Sequence, residues 1–289
     1  LHLYLRVQED RIYQMITDRI CELLEQGTIP WHQSWQGGQP ANLKTKRAYR
    51  GINVFMLTCK AIAEGFSSPW WASFKQIQEL GGTIKKGTKS TTVIFWKPIE
   101  KTDHNVEGEE EKVTIPLLRY YRVFNLEQTD IQGPESNSTA FEHDELQDAQ
   151  SIIDNMPSPP EITPGPHPCY IPSKDTVQIP ELHKFDQVEE FYSTTFHELV
   201  HSTGHSSRLD RGIEKNAAFG SKSYSKEELI AEMGAAFLCG HAGISQPTIQ
   251  NQAAYIQNWL KALKQDKRLV IKSAAAAQSA ADYILNIFK

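Results

Sequence analysis

His197-Glu198-Leu199-Val200-His201 constrains this chain more than any other stretch. It lies near the end of an apolar-periodic run, Phe185 to Val200, and Gly204 follows closely. That pattern predicts a helix over about Asp186–Thr203. Residues four apart share a helix face, so both imidazoles point at one spot with the Glu198 carboxylate beside them. Two neutral imidazoles suit Zn2+, and a neighbouring carboxylate can take a proton from water held at an open coordination position. The stretch therefore predicts a hydrolytic metal centre with ligands His197 and His201 and catalytic base Glu198, provided that a third protein ligand exists. The competing reading is a pair of surface histidines on an amphipathic helix, because so short a pattern also arises by chance.

The third ligand has three candidate sources. An HExxHxxGxxH pattern needs a histidine at 207, where Ser207 stands, and His205 is two residues short. A carboxylate from the next expected helix, Ser225–Cys239, is the better source. Glu228 and Glu232 stand four apart and share a face. This resembles the gluzincin arrangement, in which Glu228 completes a His2Glu site and Glu232 supports a ligand imidazole, with Glu232 also the fallback ligand. Against it, Ser225-Lys226-Glu227-Glu228 fits a capping box, where Glu228 merely closes the helix start. Glu227 is expected to point elsewhere and to be solvated. Zn2+ is the expected metal, with Mn2+ an alternative. Tyr192, His205 and Tyr224 are candidates for stabilising an oxyanion. Thr176–Ile179 is read as an ordinary sheet strand or as an edge strand able to pair with a peptide.

The chain is long enough for two domains with separate cores. The expected fold class is α+β with two domains: residues 1–128, a linker at 129–142 rich in Gly, Pro, Ser, Asn and Thr, and residues 143–289. The first would hold helices at Glu9–Gln26, Asn53–Glu64 and about Ala72–Leu80. Strands at Thr91–Lys97 and Val113–Asn125 follow, joined by a solvated acidic stretch, Asp103 to Lys112. The second would open with a helix near 144–155 and a Pro-rich stretch, Pro157–Pro168. Extended segments at Cys169–Ile171 and Thr176–Ile179 come next, then the metal-type helix, the acidic helix and two more helices. No apolar run approaches the ~20 residues of a membrane span. Leu1–Arg6 shows no secretory signal pattern. Four well-separated cysteines without a CxxC pair fit a reducing compartment and isolated buried thiols.

Charge divides the chain. Residues 1–125 hold 17 Lys and Arg against 13 Asp and Glu, whereas residues 126–289 hold 13 against 22. Within 40–99 ten basic residues face two acidic ones, the asymmetry expected where one half meets a polyanion. Aromatics are interleaved with the cations. Lys44, Lys46, Arg47, Tyr49 and Arg50 stand together, Trp70 and Trp71 precede Lys75, and Lys85, Lys86 and Lys89 lead into Trp96. Arg119-Tyr120-Tyr121-Arg122 repeats the pattern. Single-stranded nucleic acid needs cations along its backbone and flat side chains for its unstacked bases. The competing reading makes the aromatics core and the lysines a solvated face. No helix-turn-helix, zinc finger or RRM signature supports sequence-specific readout.

Together the halves resemble ArdC-type antirestriction proteins of conjugative plasmids. In the first half Ile29-Pro30-Trp31, Tyr49-Arg50-Gly51-Ile52-Asn53, Trp70-Trp71 and Lys85-Lys86-Gly87 are similar to that family's single-stranded-DNA-binding domain, which is also found attached to plasmid primases. In the second half His197 through His205, Ser207-Arg208-Leu209, Glu227–Leu238 and the tail from Ala254 to Tyr283 are similar to its zincin-like metallopeptidase domain. The resemblance implies cytoplasmic action on incoming single-stranded DNA that shields a plasmid from host restriction, with a protein or peptide as a further substrate and no membrane partner. Two rival functions remain at this level: a DNA-dependent protease clearing proteins from DNA, and a DNA-coating protein whose metal is structural.

Overall fold

The apolar stripe of the first helix fixes the floor on which both halves assemble. The computed structural model describes residues 2–33, 38–104, 110–134, 145–213, 222–244 and 252–287. Ile12, Ile16, Ile20, Leu23 and Leu24 form the buried side of α1 (His2–Glu25), which begins before the expected Glu9. Four strands, β1 (Ala41–Asn42), β2 (Trp70–Ser73), β3 (Thr91–His104) and β4 (Glu110–Asn125), make a sheet in the order β1-β2-β4-β3. Two helices, α2 (Ile52–Glu64) and α3 (Phe74–Glu79), pack around it.

Two elements differ from expectation. Trp70–Ser73 is a strand rather than the start of the third helix. The helix begins only after Ser73, which forms a capping box with Gln76. The β3–β4 ladder also continues through the acidic stretch read as a connection, out to His104 opposite Glu110, because ladder hydrogen bonds need backbone and not apolar side chains. The turn itself, 105–109, lies outside the described residues. The free edge of β3 is partly closed: the Asn53 amide on α2 donates to Ile94 O at 2.7 Å and accepts from Ile94 N at 2.8 Å.

The second half holds α4 (Glu145–Asp154), then β5 (Glu161–Pro164), β6 (Cys169–Ile171) and β7 (Thr176–Ile179), and then α5 (Val188–Ser202), α6 (Lys222–Ala242), α7 (Gln252–Gln265) and α8 (Leu269–Ile284). Strand β7 is central in the order β5-β7-β6, so both its edges are taken and the peptide-pairing reading of Thr176–Ile179 is corrected. Strand β5 arises inside the Pro-rich stretch, pairing parallel to β7, where no alternating pattern marks it. Helix α6 begins at Lys222, so Ser225 lies within it and the capping-box reading of Glu228 falls.

The fold is a mixed helix and sheet arrangement of two domains, yet one apolar cluster runs through both. Phe55 of α2 stacks on Phe237 of α6 with centroids 4.8 Å apart. Trp31 meets Phe55 and Trp259 edge-on at 6.3 and 5.0 Å. At the surface Arg50 pairs with Asp282, and Arg268 with Asp10 at 2.7 Å. The first residues read as linker are packed: Thr129 bridges Ile84, and Asp130 accepts from Thr83. Residues 135–142 of that segment lie outside the described residues. All four cysteines are free, and burial pushes the Cys59 and Cys239 thiols up to about 12, making them inert packing groups. Among the described residues no helix is long and apolar enough to cross a membrane.

Candidate metal centre

Helices α5 and α6 approach closely because Gly234 faces Val200. A Cβ at 234 would lie 2.7 and 2.8 Å from the two valine methyls. This contact sets the acidic face of α6 opposite the histidine face of α5. His197 Nε2 and His201 Nε2 stand 3.1 Å apart. Glu228 lies across from both, Oε2 at 3.6 Å from His197 Nε2 and Oε1 at 3.5 Å from His201 Nε2. These three side chains form the one group of His, Cys, Asp and Glu among the described residues with ligand atoms mutually within 4.8 Å.

The donor set fits a divalent cation. Ligand atoms ~2.1 Å from a tetrahedral ion stand about 3.4 Å from one another, close to the 3.1 Å between the two Nε2 atoms and the 3.5 and 3.6 Å from each to its nearer Glu228 oxygen. Tautomer chemistry agrees. His201 Nδ1 faces Glu227 Oε1 at 3.5 Å, and His197 Nδ1 faces Glu232 Oε1 at 3.8 Å. Carboxylates beside Nδ1 favour the proton there, so both Nε2 lone pairs point at the shared space and call for a positive charge between them. Burial opposes charging either ring. The Glu228 contact nonetheless raises His197, and Glu227 with Glu228 pushes His201 up to about 10. Reciprocally, Glu227, Glu228 and Glu232 are half-buried, which alone would raise them, but the facing imidazoles and their other partners hold all three below the usual carboxylate range. The pocket is therefore built around positive charge, whether carried by protons or by a metal ion.

Glu198 is 8% exposed and shares the α5 turn with both imidazoles. Glu227 corrects expectation. Far from being solvated, it is clamped by Arg211, Nε to Oε2 at 3.2 Å, and Arg211 also donates to Thr203 Oγ1 and Val200 O at 2.7 and 2.8 Å. Glu232 faces the outer edge of the His197 ring, away from the converging Nε2 atoms, which leaves Glu228 as the third donor. Its own hydrogen bond, 2.9 Å, is with His32 Nε2. Among the oxyanion candidates Tyr192 donates to Gln150 on α4, His205 Nδ1 is engaged by Ser207 at 2.8 Å, and the Tyr224 side chain lies outside the described residues. Arg211 and His32 escaped the sequence reading. No local spacing marks either, since each meets its carboxylate on α6 from outside that helix.

The basic and aromatic residues of the first half divide. Tyr49 is 3% and Trp71 0% exposed, so neither can offer a ring face to a base, which corrects their proposed stacking role. Arg50 is half-buried against Asp282. Lys44 pairs with Glu79 at 2.5 Å, Lys75 approaches the same carboxylate at 3.9 Å, and Lys46 caps the half-buried Trp70 ring at 4.6 Å. Lys85 donates to Glu127 O at 2.8 Å. Arg47, Lys86 and Lys89 are exposed. Besides Phe74 at the start of α3, the exposed aromatics of this half are Trp96 with Phe95, Tyr120 and Tyr121, 44–49% exposed, on the β3–β4 ribbon beside Lys97, Arg119 and Arg122. By alternation Trp96 and Tyr120 share one face of that ribbon and Phe95 and Tyr121 the other.

Comparison with known proteins agrees in both halves. Residues 10–124 match the family model for the N-terminal domain of anti-restriction factor ArdC, and residues 147–277 that for a zincin-like metallopeptidase. The crystal structure of antirestriction ArdC protein from the R388 plasmid in its Mn(II)-bound form superposes with a TM-score of 0.76 at 37% identity, covering 95% of this chain and 97% of that one. Uncharacterized protein y4eC of Sinorhizobium fredii is 31% identical over 94% of this chain and 91% of its own length. Two DNA primase TraC proteins of Escherichia coli are 34% and 33% identical over 94% of this chain, which spans only 27% and 20% of their lengths.

Proposed function

This chain belongs to the ArdC antirestriction family, and on that premise we propose that it binds single-stranded DNA without sequence preference, protects incoming plasmid DNA from restriction, and carries a metal-dependent peptidase centre. One observation carries the enzymatic part: two Nε2 atoms and the Glu228 carboxylate converge while carboxylates face the opposite nitrogen of each ring. His197, His201 and Glu228 would hold the metal. The two-imidazole, one-carboxylate set favours Zn2+, and the manganese form of the R388 relative makes Mn2+ an alternative. When bound, a divalent cation supplies Lewis acidity toward a carbonyl and toward water. The chain's own groups do the rest. Glu198 accepts the proton of the attacking water on its carboxylate and returns it to the leaving amine nitrogen. Glu227 and Glu232 face the Nδ1 edges at 3.5 and 3.8 Å, and their charge favours the proton there, keeping the coordinating lone pairs aimed inward. Three protein ligands leave a position open, which favours a catalytic over a purely structural metal.

The DNA-binding part rests on the β3–β4 ribbon, where Phe95, Trp96, Tyr120 and Tyr121 are exposed among cations. A groove of about 600 Å3 beside it is lined by Arg11 and Lys89, by Arg19 and Lys60, which pair with Glu22 and Glu64, and by Asp18, so Arg11 and Lys89 are its candidates for a phosphate contact. Action in the cytoplasm on single-stranded DNA, with a protein as the peptidase substrate, completes the reading.

Metal content and proteolysis of denatured casein, each measured with and without single-stranded DNA, test it. One Zn2+ or Mn2+ per chain and cleavage that Glu198→Gln removes without loss of DNA binding support the proposal. Full cleavage by Glu198→Gln, or wild type without metal affinity, would falsify the enzymatic part.

A further inference from the structure

His32 belongs to the first half by sequence and to the metal centre by position. It ends the 3-10 turn Pro30–His32, which precedes the sheet. Its neighbour Trp31, 1% exposed between Phe55 and Trp259, anchors that turn in the shared core. The His32 side chain is only 10% exposed, and its Nε2 lies 2.9 Å from Glu232 Oε2. The other oxygen of the same carboxylate faces Nδ1 of His197 at 3.8 Å.

The two histidine ligands are thus supported in parallel. His201 is backed by Glu227, which Arg211 clamps; His197 is backed by Glu232, which His32 holds. A carboxylate beside a ligand imidazole acts only if it is itself oriented, since a freely rotating one offers its acceptor lone pair for a fraction of the time. Arg211 comes from the loop just after α5, as local as such a partner can be. His32 comes from 200 residues away. A contact that merely joined the halves could fall anywhere along their shared surface; this one ends on the acid that faces a metal ligand.

We propose that His32 is a positioning residue of the metal centre, contributed by the DNA-binding half, which fixes Glu232 against the outer edge of His197. The assignment rests on the reading that His197, His201 and Glu228 hold a divalent cation. Full-length wild type, His32→Leu, His32→Gln, Glu232→Gln and the His32→Leu/Glu232→Gln double variant are stripped of metal and titrated with Zn2+ against a chromophoric chelator. Melting of the metal-free forms is followed in parallel. His32→Leu is expected to weaken Zn2+ binding about 10-fold and Glu232→Gln about 10- to 100-fold. The double variant should be no weaker than Glu232→Gln alone, because the two act in series. His32→Gln, whose amide can still donate, should stay within about threefold of wild type. With Co2+ as probe, the visible absorption bands of His32→Leu should shift from those of wild type.

A contact that only stabilises the fold gives another pattern: metal-free His32→Leu melts lower while its Zn2+ affinity stays within about twofold of wild type, or the two losses add. Either result overturns the assignment. Should His32→Leu fail to fold, His32→Asn, polar but too short to reach Glu232, replaces it with the same opposed outcomes. Wild type that fails to bind one Zn2+ per chain would instead overturn the metal-centre reading, and the assignment with it.

Discussion

Around α5 and α6 charged side chains are half-buried and held against one another, whereas in the first half cations ring an exposed aromatic ribbon. Glu227 meets Arg211 and His201, Glu228 meets both imidazoles, and Glu232 meets His32. Arg47, Lys86, Lys89, Arg119 and Arg122 instead stand in solvent. In a low-dielectric pocket each charge interacts strongly and each partner is specific, so one substitution decides the outcome. In water a charge is screened within about 10 Å, and only the sum of many matters. The two regions should therefore fail differently under mutation, abruptly in one and by degrees in the other.

The sharpest contrast comes from Glu198→Gln, expected to lower peptide hydrolysis by about 10²–10⁴-fold while metal content and DNA affinity stay at wild-type values. Comparable activity in a cleavage assay would break the comparison at its strongest point. Glu228→Ala should weaken Zn2+ binding on the order of 10³-fold, read by chelator competition, because one of three protein ligands is gone. Full occupancy would move the third ligand to Glu232. Glu227→Gln keeps the shape but weakens the acceptor behind His201, and a loss of about 10- to 100-fold in Zn2+ affinity is expected.

On the other side, Trp96→Ala should weaken single-strand binding by about 1–3 kcal/mol, measured by fluorescence anisotropy, with little change in melting temperature. Trp71→Ala should do the reverse, costing about 3–5 kcal/mol of stability through the cavity it leaves. Equal effects on DNA binding would show that burial does not separate the two tryptophans. The gentlest effect is expected from reversing Lys85, Lys86 and Lys89 to Glu. Affinity falls modestly and the salt dependence flattens by about 0.7 per lost phosphate contact.

Sequence reaches the centre where geometry is local. A four-residue spacing on a helix forces His197 and His201 onto one face whatever surrounds them, and the same rule pairs Glu228 with Glu232. The gluzincin-like spacing already puts Glu228 ahead of Glu232, and the crossing of α6 over α5, set by Gly234 against Val200, brings Glu228 to the two Nε2 atoms. Glu227 looked like a solvated acid because its arginine partner lies across a loop. His32 was invisible because its partner stands 200 positions away. The aromatics show the same limit. Trp71 and Trp96 both sit beside basic residues in β-prone stretches, and only the packing of helices on the sheet decides which ring is covered. Strand β5 escaped for a related reason: its four residues are recruited by β7, not by their own pattern.

The apolar cluster shared by Trp31, Phe55, Phe237 and Trp259 bears on how this polypeptide can be inherited or dissected. Severing it between the strands and the helical bundle would strip large rings on both fragments of their cover and leave each prone to clump. Recombination that moved one fragment without its companion would deliver a sticky, half-finished product. The E. coli primases match the pair together, over 94% of this chain within much longer polypeptides. In those relatives, as in this chain, the two halves occur side by side.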